Sequence, residues 1–460
     1  MTIDARPAHG KTLMVAVSMA LFCVQIDYFA MNLALPRMAS DFDSTATDLQ
    51  WIISIYMVTL GALMVPAGRL ADIFGRKRVL LIGITLFGLA SLLCAIAASV
   101  ATLVAFRALQ GVGAALIFPA SVSVITNAFP PAQSGRMIGL AYGIAGLGNA
   151  AGPLIGGLLT QTVGWRWIFA LNIPLAAACV LIGAFAISES RDTEAPRRID
   201  VAGLALLTAG IGVFTLTFDR ASVWGWWSLA TAGALTGAIA LLALFVVVER
   251  SVRWPLVDLS LARNMRFTVL VAAGSIANVA YGVTIFLSTV YLQDARGLDP
   301  LAAGLVFLGP SAGAAAGGVL SGRLAAGHPV RVMGVATILA AASLGLLAAA
   351  RDWALYVPTL TACGFTLGLV YAFTTVATQA VVSPQRAGEA AGIALTVMIV
   401  MGGVGVAVAS TMLERLRSTG MSTAGGIDVI FAILAAALLP AGLLVVAVAS
   451  RTADPASERC

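Results

Sequence analysis

Apolar residues in this chain come in long runs broken by short polar punctuation, with few charges inside the runs and no regular alternation of apolar and polar positions. A bilayer core about 30 Å thick needs roughly 20 apolar residues per helix, and runs of that order recur along the sequence. Cutting at charged residues and at Gly, Pro and Trp predicts spans at 13–35, 49–66, 79–98, 101–125, 137–159 and 167–187. Two more follow at 201–218 and 227–248, then six at 267–292, 301–320, 330–350, 353–376, 390–412 and 430–448. Charged linkers at 189–200 and 249–266 set the middle pair apart. The expected organisation is a six-helix half over 1–188, an insertion with two extra spans over 189–266, a second six-helix half over 267–450, and a tail over 451–460.

Composition sharpens the class. The 460 residues are 60% apolar and 10% charged, with mean hydropathy +0.97, whereas soluble domains carry roughly 25% charge. A water-soluble fold is excluded, and the Gly- and Ala-rich runs exclude an outer-membrane barrel, so helices must satisfy the backbone in lipid. The chain reads as an all-α polytopic membrane protein. Its net charge of +6 is a matter of orientation rather than of nucleic acid. Segments on the N-terminal side of the predicted spans hold 19 Lys and Arg against 7 on the other side, Arg107 completing the 27, which places both termini in the cytoplasm. The eight tryptophans fall at predicted span ends or in loops, as an interfacial belt requires. Lys11 and the run behind it imitate a signal peptide, but the run continues past Asp27 without a small-residue cleavage site, so a retained first span is expected. Cys23, Cys94, Cys179 and Cys363 lie in apolar runs and Cys460 ends the chain, with no disulfide framework or metal spacing. The two histidines, His9 and His328, lie outside the spans, so neither a metal site nor a cofactor is expected.

The segment after the second span reads Gly68-Arg69-Leu70-Ala71-Asp72-Ile73-Phe74-Gly75-Arg76-Lys77-Arg78. Glycines permit a tight turn, Asp72 suits a positive helix N-terminus, and the basic cluster stays inside. A shorter echo, Gly322-Arg323-Leu324-Ala325-Ala326-Gly327, follows the second span of the final six, the matching place if two halves are related by a repeat. The first segment resembles, at nearly every position, the cytoplasmic loop signature of the major facilitator superfamily. The resemblance implies a major facilitator fold of two six-helix halves, here with two inserted central helices and fourteen transmembrane helices, and a cytoplasmic gate loop at Gly68, Arg69, Asp72, Gly75, Arg76 and Lys77.

Three further stretches are similar to motifs of this superfamily. Arg107-Ala108-Leu109-Gln110-Gly111 in the fourth span resembles a motif linked to proton coupling. A charged side chain in lipid costs at least about 2.5–3.5 kcal/mol, so Arg107 must face protein or water. Gly148-Asn149-Ala150-Ala151-Gly152-Pro153-Leu154-Ile155-Gly156-Gly157 resembles the motif of its antiporters, with glycines spaced to let a neighbouring helix approach. Gln25-Ile26-Asp27-Tyr28-Phe29-Ala30-Met31-Asn32-Leu33-Ala34-Leu35-Pro36 is similar to the first-span signature of the fourteen-span drug:proton antiporters, with Phe29 in place of the usual Thr. Trp165-Arg166-Trp167-Ile168-Phe169, Asn172-Ile173-Pro174 and Asp200-Val201-Ala202-Gly203 also favour that branch.

At 1.5 Å per residue, Asp27 and Arg107 both lie roughly 10 Å below the outer face. Spans one and four line the central cavity of this superfamily, so the two are expected close together, as a proton-coupling pair or as a fixed structural ion pair. In the coupling scheme, proton and cargo compete for Asp27. Candidate cavity residues are Tyr28, Asn32, Tyr56, Gln110, Tyr142, Asn278, Tyr281, Phe286, Tyr371 and Gln379, with Phe118 and Phe373 beside them. One deep carboxylate favours neutral or monocationic cargo over dications.

Enzyme-like strings do not survive their context. Gly309-Pro310-Ser311-Ala312-Gly313 and Gly146-Leu147-Gly148-Asn149-Ala150-Ala151 lie inside apolar spans, and Gly10-Lys11-Thr12 lacks the first glycine of a phosphate loop. The expectation is a proton-coupled antiporter exporting hydrophobic or amphiphilic small molecules across a bacterial cytoplasmic membrane. Its partners would be lipid, cargo and protons, with no nucleic acid and a monomer sufficing. The alternatives are a dedicated exporter of one endogenous metabolite or lipid, and a non-transporting membrane sensor or scaffold.

Overall fold

The structure, a computed structural model, describes residues 7–31, 34–44, 46–191, 200–253, 255, 257, 259–324, 328–350, 352–383 and 386–450. Its elements are α1 (Pro7–Met31), α2 (Leu35–Phe42), α3 (Ala46–Phe74), α4 (Arg76–Ala95), α5 (Val100–Ala128), α6 (Pro131–Thr162) and α7 (Arg166–Ala186). The inserted pair is α8 (Val201–Trp224) and α9 (Leu229–Ser251). After a short α10 (Ser260–Arg263) come α11 (Met265–Val290), α12 (Pro300–Leu324), α13 (Pro329–Ala349), α14 (Trp353–Ala380), α15 (Ala387–Ser418) and α16 (Thr423–Ser450). Among the described residues, fourteen helices are long and apolar enough to cross a membrane. With an even number of crossings, α1 begins and α16 ends on the same side, called here the terminal side.

Most boundaries shift from the sequence reading by a few residues, and four places are informative. Helix α1 is described as far as Met31, Ala34 is a turn, and Leu35 opens the separate helix α2, with a proline among its first two positions. The 68–78 segment is helical rather than a loop, apart from Gly75, whose φ of +115° suits glycine and makes a one-residue turn between α3 and α4. Helix α8 runs past residue 218 to Trp224 and stops at Gly225, again with positive φ. Helix α15 has 32 residues, or about 48 Å at 1.5 Å each, and exceeds the bilayer core. The tryptophans also divide. Trp227 is 91% exposed, while Trp165 is buried and donates its ring N–H to Asp41 Oδ2 at 2.9 Å, so it belongs to the fold and not to the belt.

In the first six spans α1 packs between α6 and α7, and α5 packs between α3 and α4. In the last six, α12 and α13 flank α14, and α11 lies along α15. The two sets meet along α6 with α12 and along α3 with α15. Helices α8 and α9 pack on each other, and α8 leans on both α3 and α15 through Ala62, Val65, Leu207, Ile211, Phe245 and Val400. They bridge the seam from outside.

Close approach concentrates on the terminal side of that seam. A Cβ at Gly139 would fall 2.8 Å from Gly322 N, and one at Gly318 would fall 2.8 Å from Gly143 Cα, so α6 and α12 touch backbone to backbone there. Gly392 of α15 sits equally close to Met64 O. Beyond these contacts the helices diverge around a central cavity.

Candidate functional site

The cavity has a volume of about 550 Å³ and reaches from the seam toward the side opposite the termini. Tyr28, Tyr142, Asn278, Tyr281, Phe286 and Tyr371 line it as expected, with Phe118. Tyr142 and Tyr371 meet edge to face at 5.5 Å. Gln25 donates to Asn149 Oδ1 at 2.8 Å, and the Asn149 amide donates to the Tyr281 hydroxyl at 3.4 Å, a link from the first set of helices to the second.

Three expected lining residues are absent from its wall. Tyr56 is fully buried behind Tyr28, which stacks on it at 6.3 Å and 19°. Gln110 is consumed in a hydrogen-bond network one layer deeper. Gln379 lies about two turns nearer the terminal end of α14 than Tyr371, below the cavity floor. Phe373 is fully buried, and Asn32 lies outside the described residues.

Behind Tyr28, five helices assemble a buried polar cluster. Arg107 Nη1 of α5 donates to Asp27 Oδ2 of α1 at 2.5 Å and to Gln110 Oε1 at 2.6 Å. Arg107 Nε donates to the Ile52 carbonyl at 3.2 Å. The other Asp27 oxygen accepts from Gln110 Nε2 at 3.1 Å and from Asn172 Nδ2 of α7 at 2.8 Å. Ser91 of α4 accepts from Gln110 at 2.8 Å. The Arg107 guanidinium lies 4.2 Å from the centre of the Tyr56 ring. A buried charge pair survives only when its remaining donors and acceptors are met, and here amides and a carbonyl meet most of them. Asp27, the acid expected to meet cargo directly, is 1% exposed and does not line the cavity; its neighbours Tyr28 and Phe29 do. Asn172 and Ser91 were not foreseen as partners. The signal available was a lone amide in the apolar run of the sixth span.

The antiporter-like segment holds α1 in place. A Cβ at Gly148 would fall 2.9 Å from Phe22 O, and one at Gly152 would fall 2.6 Å from Phe29 Cβ. Gly156 meets Ala30 backbone in the same way, so the glycines form a groove for the turn that carries Asp27. Pro153 lies within α6, and Gly157 is half-buried beside it.

At the terminal side, Gly68 is buried and Arg69 half-buried. Arg76 donates from Nε and Nη2 to Asp72 Oδ1 at 3.0 and 2.8 Å. The Asp72 carboxylate lies beside the backbone N–H of Glu389, in the first turn of α15. Lys77 Nζ donates to the Ala184 carbonyl at 2.6 Å. Glu189 closes this corner: its carboxylate accepts from the backbone N–H groups of Lys77 and Arg78, both at 3.1 Å. Two of the otherwise unpartnered amides of the α4 N-terminus are thereby satisfied from 112 residues away.

A family model described as Major Facilitator Superfamily matches residues 17–406. The chain belongs to this superfamily. It is 31% identical to a tetracenomycin C resistance and export protein of Streptomyces glaucescens, over 87% of this chain and 75% of that protein. It is 32% identical to the multidrug resistance protein Stp of Mycobacterium tuberculosis, over 88% and 76%. It is 30% identical to a methylenomycin A resistance protein of Bacillus subtilis, over 99% and 98%. Its fold is similar to the crystal structure of the human organic anion transporter MFSD10 (TETRAN), with TM-score 0.71 and 14% identity over 96% of this chain and 100% of that one. Membership makes the chain a multi-pass membrane transporter rather than an enzyme.

Proposed function

We propose that this transporter exports amphiphilic small molecules, drugs among them, from a bacterial cytoplasm in exchange for protons, with both termini cytoplasmic and the gradient as the driving force. The observation that carries the reading is Asp27, paired in the interior with Arg107 and set on the α1 turn whose neighbours Tyr28 and Phe29 line the cavity. Resistance and export functions named for its relatives agree with it.

In this scheme the two six-helix halves, 1–188 and 267–450, rock about the cavity while the inserted pair spans the seam. Protonation of Asp27 removes the charge that holds Arg107, Gln110 and Asn172 together, and the α1 turn relaxes against its glycine groove. Cargo and proton then compete through the position of that turn rather than by direct contact at one carboxylate. The Gly68–Lys77 corner, with Arg69, Asp72, Gly75 and Arg76, forms the cytoplasmic gate. Gly148, Gly152, Pro153, Gly156 and Gly157 form the bearing on which α1 moves. One copy of the chain contains every part this cycle needs.

Gradient-driven ethidium movement in inverted vesicles, at matched expression, tests the scheme. Uncoupler-sensitive movement by the unaltered chain, lost in Asp27→Asn, is the expected result. Movement unchanged by that substitution would remove Asp27 from coupling.

A further inference from the structure

Asp219 is the sole carboxylate among the described residues that line the cavity, and no Lys, Arg or His lines it there. It comes from α8, one of the inserted helices, at a position where the apolar run breaks for two charged residues before Gly225 ends the helix. Ser54 Oγ of α3 donates to Asp219 Oδ1 at 2.6 Å and fixes the carboxylate at the wall.

The adjoining Arg220 does not cancel this charge as seen from the cavity. Its Nε is 3.5 Å from Asp219 Oδ2, and its guanidinium lies 3.5 Å from the centre of the Trp51 ring. The Arg220 side chain is 4% exposed against 23% for Asp219, so the arginine stands behind the wall and the acid in it. The pair is a dipole with its negative end toward the cavity. Four tyrosines, Tyr28, Tyr142, Tyr281 and Tyr371, line the same space. Aromatic faces attract cations, more strongly where water is excluded.

We propose that Asp219 makes this cavity selective for lipophilic monocations, its carboxylate pairing with the cargo's charge while the tyrosines hold the apolar body. The inference rests on the export reading above for the cargo being an amphiphile. It assigns the inserted helices a part in recognition, since the acid is theirs. A single acid matches a single positive charge, and a neutral molecule of the same shape gains nothing from it.

The test uses two probes with nearly the same body, methyltriphenylphosphonium as a permanent cation and triphenylphosphine oxide as its neutral counterpart. Binding to the purified full chain in lipid nanodiscs is measured by calorimetry. The unaltered chain is expected to prefer the cation. Asp219→Asn keeps an oxygen for Ser54 but loses the charge. It is expected to weaken cation binding about tenfold or more while leaving the oxide within about twofold, and Asp219→Glu is expected to restore the preference. No preference in the unaltered chain, unchanged cation affinity in Asp219→Asn, or equal losses for both probes would each overturn the proposal.

Should the variants fold poorly, carbodiimide modification of the unaltered chain gives the same decision. The cation should protect Asp219 from modification and the oxide should not, read by peptide mass spectrometry; modification indifferent to the cation overturns the inference. Vesicle transport separates the two readings. Cation binding through Asp219 with no gradient-driven movement sinks the export scheme and leaves the inference standing. Gradient-driven movement with cation binding indifferent to Asp219 does the reverse.

Discussion

At the scale of single residues, the buried cluster behind Tyr28 is held by complementarity of charge. Removing one partner of a buried ion pair costs about 3–5 kcal/mol, because the other charge is left without compensation, whereas replacing both can be nearly neutral. The double variant Asp27→Asn with Arg107→Gln should therefore melt at a higher temperature than either single variant, while all three lack gradient-driven transport. Losses that simply add in thermal-shift measurements would mean that the two side chains are not coupled. The pairing of Asp27 with Arg107 was legible in the sequence, since two opposite charges sat at similar depth in spans one and four. Their partners were less so, because Asn172 and Ser91 occupy ordinary positions in their own helices and acquire meaning only when α4 and α7 are brought to α1. Asp219 was missed for another reason: the span was ended at its first charge, and a helix that carries an acid into a protein-lined cavity violates the rule by which lipid-facing spans are found.

Among elements, α6 is the most informative. Its first half presents Gly139 and Gly143 to α12, and its second half presents Gly148, Gly152 and Gly156 to α1. The step from 143 to 148 is five residues instead of four, which turns the small-residue stripe to another face of the helix. Gly152→Val would drive a branched side chain into Phe29 Cβ. Such overpacking costs about 1–3 kcal/mol, so a lower melting temperature is expected together with a transport defect larger than that of Gly304→Val, at a glycine with open space around it. Equal effects at the two sites would mean that the α1 groove has no special part. Most of the helices were readable from hydropathy alone because lipid demands long apolar runs. What hydropathy does not encode is helix beyond the membrane, such as the last turns of α15, or a short polar helix such as α2, where no apolar run is required.

For the whole molecule, contact at the terminal side and a cavity beyond it describe one arrangement of two halves, and the export cycle requires another. A Cβ at Gly146 of α6 would lie 3.7 Å from Ala315 Cβ of α12, in ordinary contact and at the separation a disulfide spans. In a Cys460→Ser background, where the remaining cysteines are buried, Gly146→Cys with Ala315→Cys should lose transport on oxidation and regain it on reduction. Full cross-linking with transport intact would exclude any cycle that opens this seam. Among the described residues the seam between α6 and α12 is made of glycine backbone and small side chains, with no ion pair between the two helices. Parting it forfeits dispersion alone, which fades smoothly with distance and feels no counterions, so it behaves like a dry bearing whose friction is the same in dilute and in concentrated salt.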